Sequence, residues 1–192
     1  IIAQDDPTFL PNEERDAAQI LSDALARDGI EIHLNTEVVA VRTKAGQKVA
    51  ELVSGGNKIS VSVDEILTGI GRAPNVERMN LEVAGVQYDI HTGILVNNFL
   101  QTTNARIYAA GDVCLKHKLT PTADASARIA VQNALCLGRK RLSALTIPWC
   151  TYTDPEIAHV GLYVREARRK SIPVKTFTIL MHDVDRAVTD GE

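Results

Sequence analysis

Cysteine is scarce and never closely paired: Cys114, Cys136 and Cys150 are an odd, widely spaced set, which excludes a disulfide framework and a four-cysteine zinc site and points to a reducing compartment. The histidines, His33, His91, His117, His159 and His182, are scattered without metal-ligand spacing, so the sequence proposes no metal site. No run approaches the ~20 apolar residues of a membrane span, and the opening residues do not read as a secretory signal. No run of five like charges occurs, and Lys+Arg 21 against Asp+Glu 24 leaves a net charge of −3, without the footprint of a nucleic-acid binder. The basic clusters Arg139-Lys140-Arg141 and Arg168-Arg169-Lys170 read as solvated helix ends, where cations complement the dipole. Internal repeats and low-complexity segments are missing too.

What is present is a foldable chain: 192 residues, 45% hydrophobic and 23% charged, enough to bury a core in one domain or in parts of several. Ile1-Ile2-Ala3 resembles the end of a strand. Ala17, Ile20, Leu21, Ala24 and Leu25 recur at helical spacing, predicting a helix over Asn12–Arg27 with Asn12 as N-cap and Gly29 beyond its end. Ile30, Ile32 and Leu34 alternate as a strand, completing strand, helix, strand, the grammar of a parallel α/β layer. Val38–Thr43, Lys48–Val53 and Lys58–Val63 alternate around Ala45-Gly46 and Gly55-Gly56 and predict an antiparallel β-meander with a solvated polar face. Ile66–Ile70 reads as a buried strand, Met79–Ala84 as a helical turn, and Ile94–Asn97 and Arg106–Ala109 as short strands. A helix follows over Pro121–Leu137, with Thr120 as N-cap and an alanine face of Ala123, Ala127, Ala130 and Ala134. Strands over Pro148–Tyr152, Ile157–Leu162 and Val174–Leu180, with a helix around Arg165–Lys170, suggest the start of an α+β unit.

The most informative stretch is Ile107-Tyr108-Ala109-Ala110-Gly111-Asp112, an apolar strand ending in Gly-Asp. An acid at the carboxyl end of a parallel strand, beside a glycine that admits close backbone approach, is where an α/β sheet holds a ligand hydroxyl. Taken alone, these six residues are better read as an ordinary turn. The Thr120 helix that follows shifts the balance, because a helix N-terminus offers free N–H groups to an electron-rich ring and alanines let that ring lie close. Cys150 with His159 lacks a third catalytic group, Cys114 reads as a packed apolar residue, and His182-Asp183 reads as exposed.

Thr68-Gly69-Ile70-Gly71-Arg72-Ala73-Pro74-Asn75, then Ile107–Asp112, then Pro148-Trp149-Cys150-Thr151-Tyr152-Thr153-Asp154-Pro155-Glu156 together resemble the class I pyridine nucleotide–disulfide oxidoreductases, in particular the mercuric reductase and dihydrolipoamide dehydrogenase branch. The resemblance covers essentially the whole chain in the family's order. It implies an α/β fold made of parts of FAD- and NAD(P)-binding Rossmann-like domains with a β-meander, plus the start of an α+β dimerisation domain. Residues 1–70 would be the second half of the NAD(P)-binding domain, 71–142 the returning segment of the FAD-binding domain, and 143–192 the start of the interface domain.

Carried over by position, the resemblance implies that Asp112, beside Gly111, hydrogen-bonds the ribityl chain of FAD and that the backbone at Thr120 meets the flavin ring. It places Gly71 beside the nicotinamide nucleotide, Val38 near its adenosine half, and Trp149–Glu156 at a homodimer contact. Two departures stand out. Gln4 occupies the position where NAD-preferring members carry an acid for the ribose 2′-hydroxyl, a lean toward NADPH, and Pro121 stands where relatives often carry histidine. The whole enzyme would be a cytoplasmic flavoprotein passing hydride from NAD(P)H to FAD and on to a disulfide or metal-ion acceptor. These 192 residues contain no Gly-x-Gly-x-x-Gly loop and no close cysteine pair, so the stretch alone is expected to be inactive. The alternatives are a non-catalytic dimerising or regulatory module of the same descent, and a reductase whose acceptor is a protein or quinone.

Overall fold

The structure, a computed structural model, describes residues 1–136 and 138–191. Its backbone contacts divide it into Ile1–Val160 and Gly161–Glu192.

The first unit opens as the sequence predicts. Strand β1 (Ile2–Ala3) pairs in parallel with β2 (Ile32–His33), and helix α1 (Arg15–Arg27) forms the crossover between them. Helix α1 buries Ala18, Leu21 and Ala24, whereas Ile20 faces out. It starts later than its apolar periodicity suggested: Glu14, not Asn12, is the N-cap, and no side chain caps it. Gly29, at φ +80, turns the chain beyond its C-terminus.

The meander follows as β3 (Thr36–Lys44), β4 (Gln47–Ser54) and β5 (Asn57–Val63), antiparallel in the order β3-β4-β5. Ala45-Gly46 and Gly55-Gly56 all have positive φ, the backbone that two-residue hairpin loops demand. A bulge between Val38 and Ala40 shifts the β3 register. The outer face is more apolar than expected, since Val38, Val39 and Val41 are each about half exposed.

Ile66–Ile70 is not a strand. Leu67 and Ile70 are almost fully exposed, because a short apolar run becomes a buried strand only beside a neighbour that accepts its backbone hydrogen bonds, and none of the described strands pairs with it. The helical turn expected near Met79–Ala84 is present over residues 81–85, with the Ala84 N–H on the Leu81 carbonyl at 3.1 Å and the Gly85 N–H on the Glu82 carbonyl at 3.0 Å. Beyond them β6 (Tyr88–Asp89) and β7 (Gly93–Ile94) make a small antiparallel pair, and Val96 bridges Thr102 while Gln101 bridges Tyr108.

This middle region holds the core. Val76, Leu81, Val86, Ile94 and Ala109 form one buried cluster, and Leu100, Leu115, Ile129 and Ala130 a second. Val96 and Cys114 pack against both and join them. Helix α2 (Thr120–Leu135) lies on the second cluster through Ile129 and Ala130. Leu137, the expected last residue of that helix, lies outside the described residues. Of the alanine face only Ala130 is buried; Ala127 and Ala134 are exposed. The unit closes with a hairpin of β8 (Pro148–Thr151) and β9 (Ile157–Val160), whose turn contains a cis Asp154–Pro155 bond.

In the second unit helix α3 (Val164–Arg169) buries Ala167, Tyr163 is buried just before it, and Arg168-Arg169-Lys170 sits at its end as expected. Helix α4 (Asp185–Asp190) ends on Gly191 in the left-handed conformation. The strand expected over Val174–Leu180 is absent: Phe177 and Ile179 are exposed, and no described strand offers a partner. No helix among the described residues is long and apolar enough to cross a membrane.

Gly93 is the tightest backbone approach in the core. At φ +96, a Cβ there would lie 2.1 Å from the carbonyl oxygen of Val113. Gly93→Ala is expected to destabilise the protein by roughly 3 kcal/mol or more, measured as a shifted urea midpoint; an unchanged midpoint would contradict this packing.

Candidate functional site

The Gly-Asp turn is built from the core outward. Ala109 is buried and donates its N–H to the Leu100 carbonyl at 3.0 Å, Ala110 is extended, and Gly111–Val113 turns as a single 3₁₀ turn. Gly111 sits at φ +77, and a Cβ there would come within 3.3 Å of the Ala123 methyl in the first turns of α2. Its N–H donates to Ser126 Oγ at 2.9 Å, and the Ser126 hydroxyl donates in turn to the Ala123 carbonyl at 2.8 Å. Ser126 is fully buried. Arg106–Ala109 is not the strand its sequence suggested, since among these residues only Tyr108 makes an isolated bridge, to Gln101; the turn that follows is locked to the helix by a hydrogen bond and a close approach at Gly111.

Asp112, the next residue, is displayed at the surface of this lock. Its carboxylate meets Arg72 Nη1 at 3.3 Å, and the same nitrogen donates to the Lys118 carbonyl at 3.2 Å. Both side chains are partly solvated, so the pair adds about 0–1 kcal/mol at most.

Helix α2 begins one residue earlier than expected. Leu119 is the N-cap, Thr120 is the first helical residue and Pro121 the second, with no side-chain cap. Thr120 therefore presents first-turn backbone rather than capping it. Thr122 Oγ1 in the same turn is buried and has no hydrogen-bond partner among the described residues. A helix start with uncapped N–H groups, an orphaned hydroxyl and an adjacent displayed carboxylate is a polar cradle for a ligand rich in acceptors and hydroxyls.

Beside it lies a cleft of about 560 Å³ lined by Arg72, Lys118, Thr120, Pro121, Trp149 and Tyr152, among others. Trp149 stacks on His117 with ring centroids 6.3 Å apart, lies 4.5 Å from the His159 ring, and donates Nε1–H to buried Glu13 at 3.1 Å. This wall was not foreseen from the sequence, which separates Glu13 from Trp149 by most of the chain. Arg72 was seen only as part of a motif, and Ser126 could have been noticed as the one hydroxyl interrupting the alanines.

The other expected residues are more scattered. Gly71, exposed and at φ +104, precedes Arg72 and so lies one residue from the Asp112 contact. Val38 sits at the bulge of β3, half exposed. The Gln4 amide is turned back to the Thr8 carbonyl at 2.8 Å. Cys114 is half-buried, its thiol 3.6 Å from the Gly111 carbonyl, and burial pushes its pKa up to about 11. Partial burial, then the carboxylates of Glu156 and Glu13, push the Cys150 thiol upward as well, opposite to what a nucleophile needs. His182 and Asp183 meet at 3.4 Å and are exposed. Among the described residues no three His, Cys, Asp or Glu side chains group closely enough to hold a metal ion.

Residues 1–128 match the pyridine nucleotide-disulphide oxidoreductase family, and residues 147–192 match the dimerisation domain of the same family. The chain belongs to the pyridine nucleotide-disulphide oxidoreductases, whose members are flavin-dependent enzymes that use FAD and NAD(P)H. Among curated relatives, mercuric reductase of Staphylococcus aureus is 32% identical over 91% of this chain and 32% of its own length. Dihydrolipoyl dehydrogenase of Thermus scotoductus is 34% identical over 96% of this chain and 40% of its own length. LpdA from Mycobacterium tuberculosis superposes on 98% of the chain and 40% of its own with a TM-score of 0.88 at 26% identity. The HOCl-induced flavoprotein disulfide reductase RclA from Escherichia coli covers all of this chain with 43% of its own, at a TM-score of 0.86 and 25% identity. The chain thus spans about a third to two-fifths of the length of these proteins.

Thiol reactivity follows from this arrangement. With a pKa of about 11, only about a thousandth of Cys114 is thiolate at pH 8. Iodoacetamide at pH 8 is expected to label exposed Cys136 first and Cys114 last, with Cys114 labelling rising about tenfold per pH unit up to its pKa. Peptide mass mapping of a labelling time course checks this; early modification of Cys114 would contradict it.

Proposed function

We propose that the protein carrying these residues is an FAD-dependent oxidoreductase that takes hydride from NAD(P)H and passes the electron pair to a disulfide or a metal ion. The observation that carries the reading is the Gly111–Asp112 turn locked against the start of α2, with Thr122 Oγ1 buried and unsatisfied beside it. The residues fit a flavin dinucleotide: Asp112 offers a carboxylate to ribityl hydroxyls, Gly111 lets backbone come close, and the uncapped Thr120 turn faces an electron-rich ring. When bound, the flavin would accept hydride from the nicotinamide and deliver electrons to the acceptor, chemistry that the side chains do not supply.

The chain's own residues hold and orient. Asp112 exchanges its Arg72 contact for ligand hydroxyls, and Ser126 keeps the turn fixed while it does so. Residues 1–70 form part of the NAD(P)-binding domain, with Gly71 beside the nicotinamide nucleotide and Val38 near its adenosine half. Gln4, neutral and turned inward, does not repel a 2′-phosphate, which favours NADPH. Residues 71–142 return the chain to the FAD-binding domain, and 143–192 begin the interface domain of a homodimer. The exposed apolar side chains of Tyr152 and Val160 on the β8–β9 hairpin support that last reading. The unpaired cysteines suit a reducing cytoplasm.

In the full protein, Asp112→Ala is expected to weaken FAD binding about tenfold or more, the size of a lost charge-assisted hydrogen bond, without moving the unfolding midpoint of the apoprotein. Flavin fluorescence titration against apoprotein measures it. Unchanged affinity would remove Asp112 from the site, and a full protein that retains no flavin would end the reading.

A further inference from the structure

The run Arg139-Lys140-Arg141 does not lie where its sequence suggested. Helix α2 has ended at Leu135, and residues 138–141 return beside it without regular secondary structure rather than forming its last turn. The segment is fixed by buried Asn133, whose Oδ1 accepts the Lys140 N–H at 2.9 Å and whose Nδ2 donates to the carbonyls of Lys140 at 2.8 Å and Phe99 at 3.0 Å. Gly138 is required for this return, since a Cβ there would lie 2.8 Å from the Gln132 carbonyl oxygen. Asn98 fastens the far side, accepting the Leu142 N–H on its carbonyl at 2.8 Å and the Ser143 N–H on Oδ1 at 2.9 Å.

Between helix and strap lies a cleft of about 590 Å³, a size suited to a small molecule. Arg128, Arg139, Lys140 and Arg141 all line it, and no carboxylate does. Arg128 is paired with Asp124 at 2.9 Å, but the side chains of Arg139, Lys140 and Arg141 meet no carboxylate among the described residues. The rest of the lining includes Ile129, which is buried, and Leu145. Arg139, Lys140 and Arg141, three of the four cations, gathered without a carboxylate among the described residues, repel one another and leave the site short of negative charge. Guanidinium groups match phosphate oxygens in paired hydrogen bonds, and the apolar floor accepts a hydrocarbon body.

We propose that the cleft between α2 and residues 138–145 binds a small phosphate monoester with an apolar body, its phosphate on Arg139 and Arg141 and its body on Ile129 and Leu145. It is separate in sequence and lining from the Asp112 cradle, so it stands independently of the flavin reading.

The probe is phenyl phosphate, titrated calorimetrically into the full protein as purified, with saturating NAD⁺, a pyrophosphate diester with no phosphate monoester, to fill a dinucleotide site. One saturable event is expected, weakened at least tenfold in Arg139→Ala/Arg141→Ala and abolished in Ala144→Trp, which fills the floor and leaves the cations. Arg168→Ala/Arg169→Ala, at the other basic cluster, should bind as the parent does. Inorganic phosphate should bind at least several-fold more weakly than phenyl phosphate. No saturable binding, equal binding by both arginine double variants, or equal affinity for the two probes would overturn the proposal.

Discussion

The hydrogen bond from Gly111 N–H to Ser126 Oγ ties together everything that gives this chain a site. It is wholly buried, so it gains from the low dielectric around it, and losing its acceptor would strand a backbone donor at a cost of about 1–3 kcal/mol. The close pass of Gly111 over the Ala123 methyl makes the contact possible, and the Ser126 hydroxyl closes the chain on the Ala123 carbonyl. With the turn and the helix start so fixed, the position of Asp112 beside the first turn of α2 follows from geometry. A serine in the second turn of a helix thus determines how a carboxylate on another element is presented.

Much of this was legible in the amino-acid order, for reasons that are local. The meander was readable because Ala45-Gly46 and Gly55-Gly56 announce tight hairpins and the residues between them alternate; its register then follows from loop length. Helix α1 was readable because its apolar residues recur at helical spacing, although Glu14 rather than Asn12 takes the cap position, a glutamate being an unusual residue there. Ile66–Ile70 and Val174–Leu180 have strand composition but are not strands, since pairing is a property of two segments and their pattern describes only one. The Glu13–Trp149 bond and the return of Arg139–Arg141 along α2 depend on long-range placement in the same way. No periodicity encodes them.

The locked turn and the charges displayed on it have different strengths, and the difference matters for binding. The Arg72–Asp112 contact is long and half solvated, so water competes for both partners and the pair contributes little. The backbone beneath has no comparable freedom: Gly111 cannot move without stranding its N–H or colliding with Ala123. Rigid backbone under exchangeable side chains lets a site stay preorganised without holding its own carboxylate too tightly to release it. Arg72 meets Asp112 through the same nitrogen that donates to the Lys118 carbonyl, so one guanidinium ties the displayed carboxylate to the backbone just before α2.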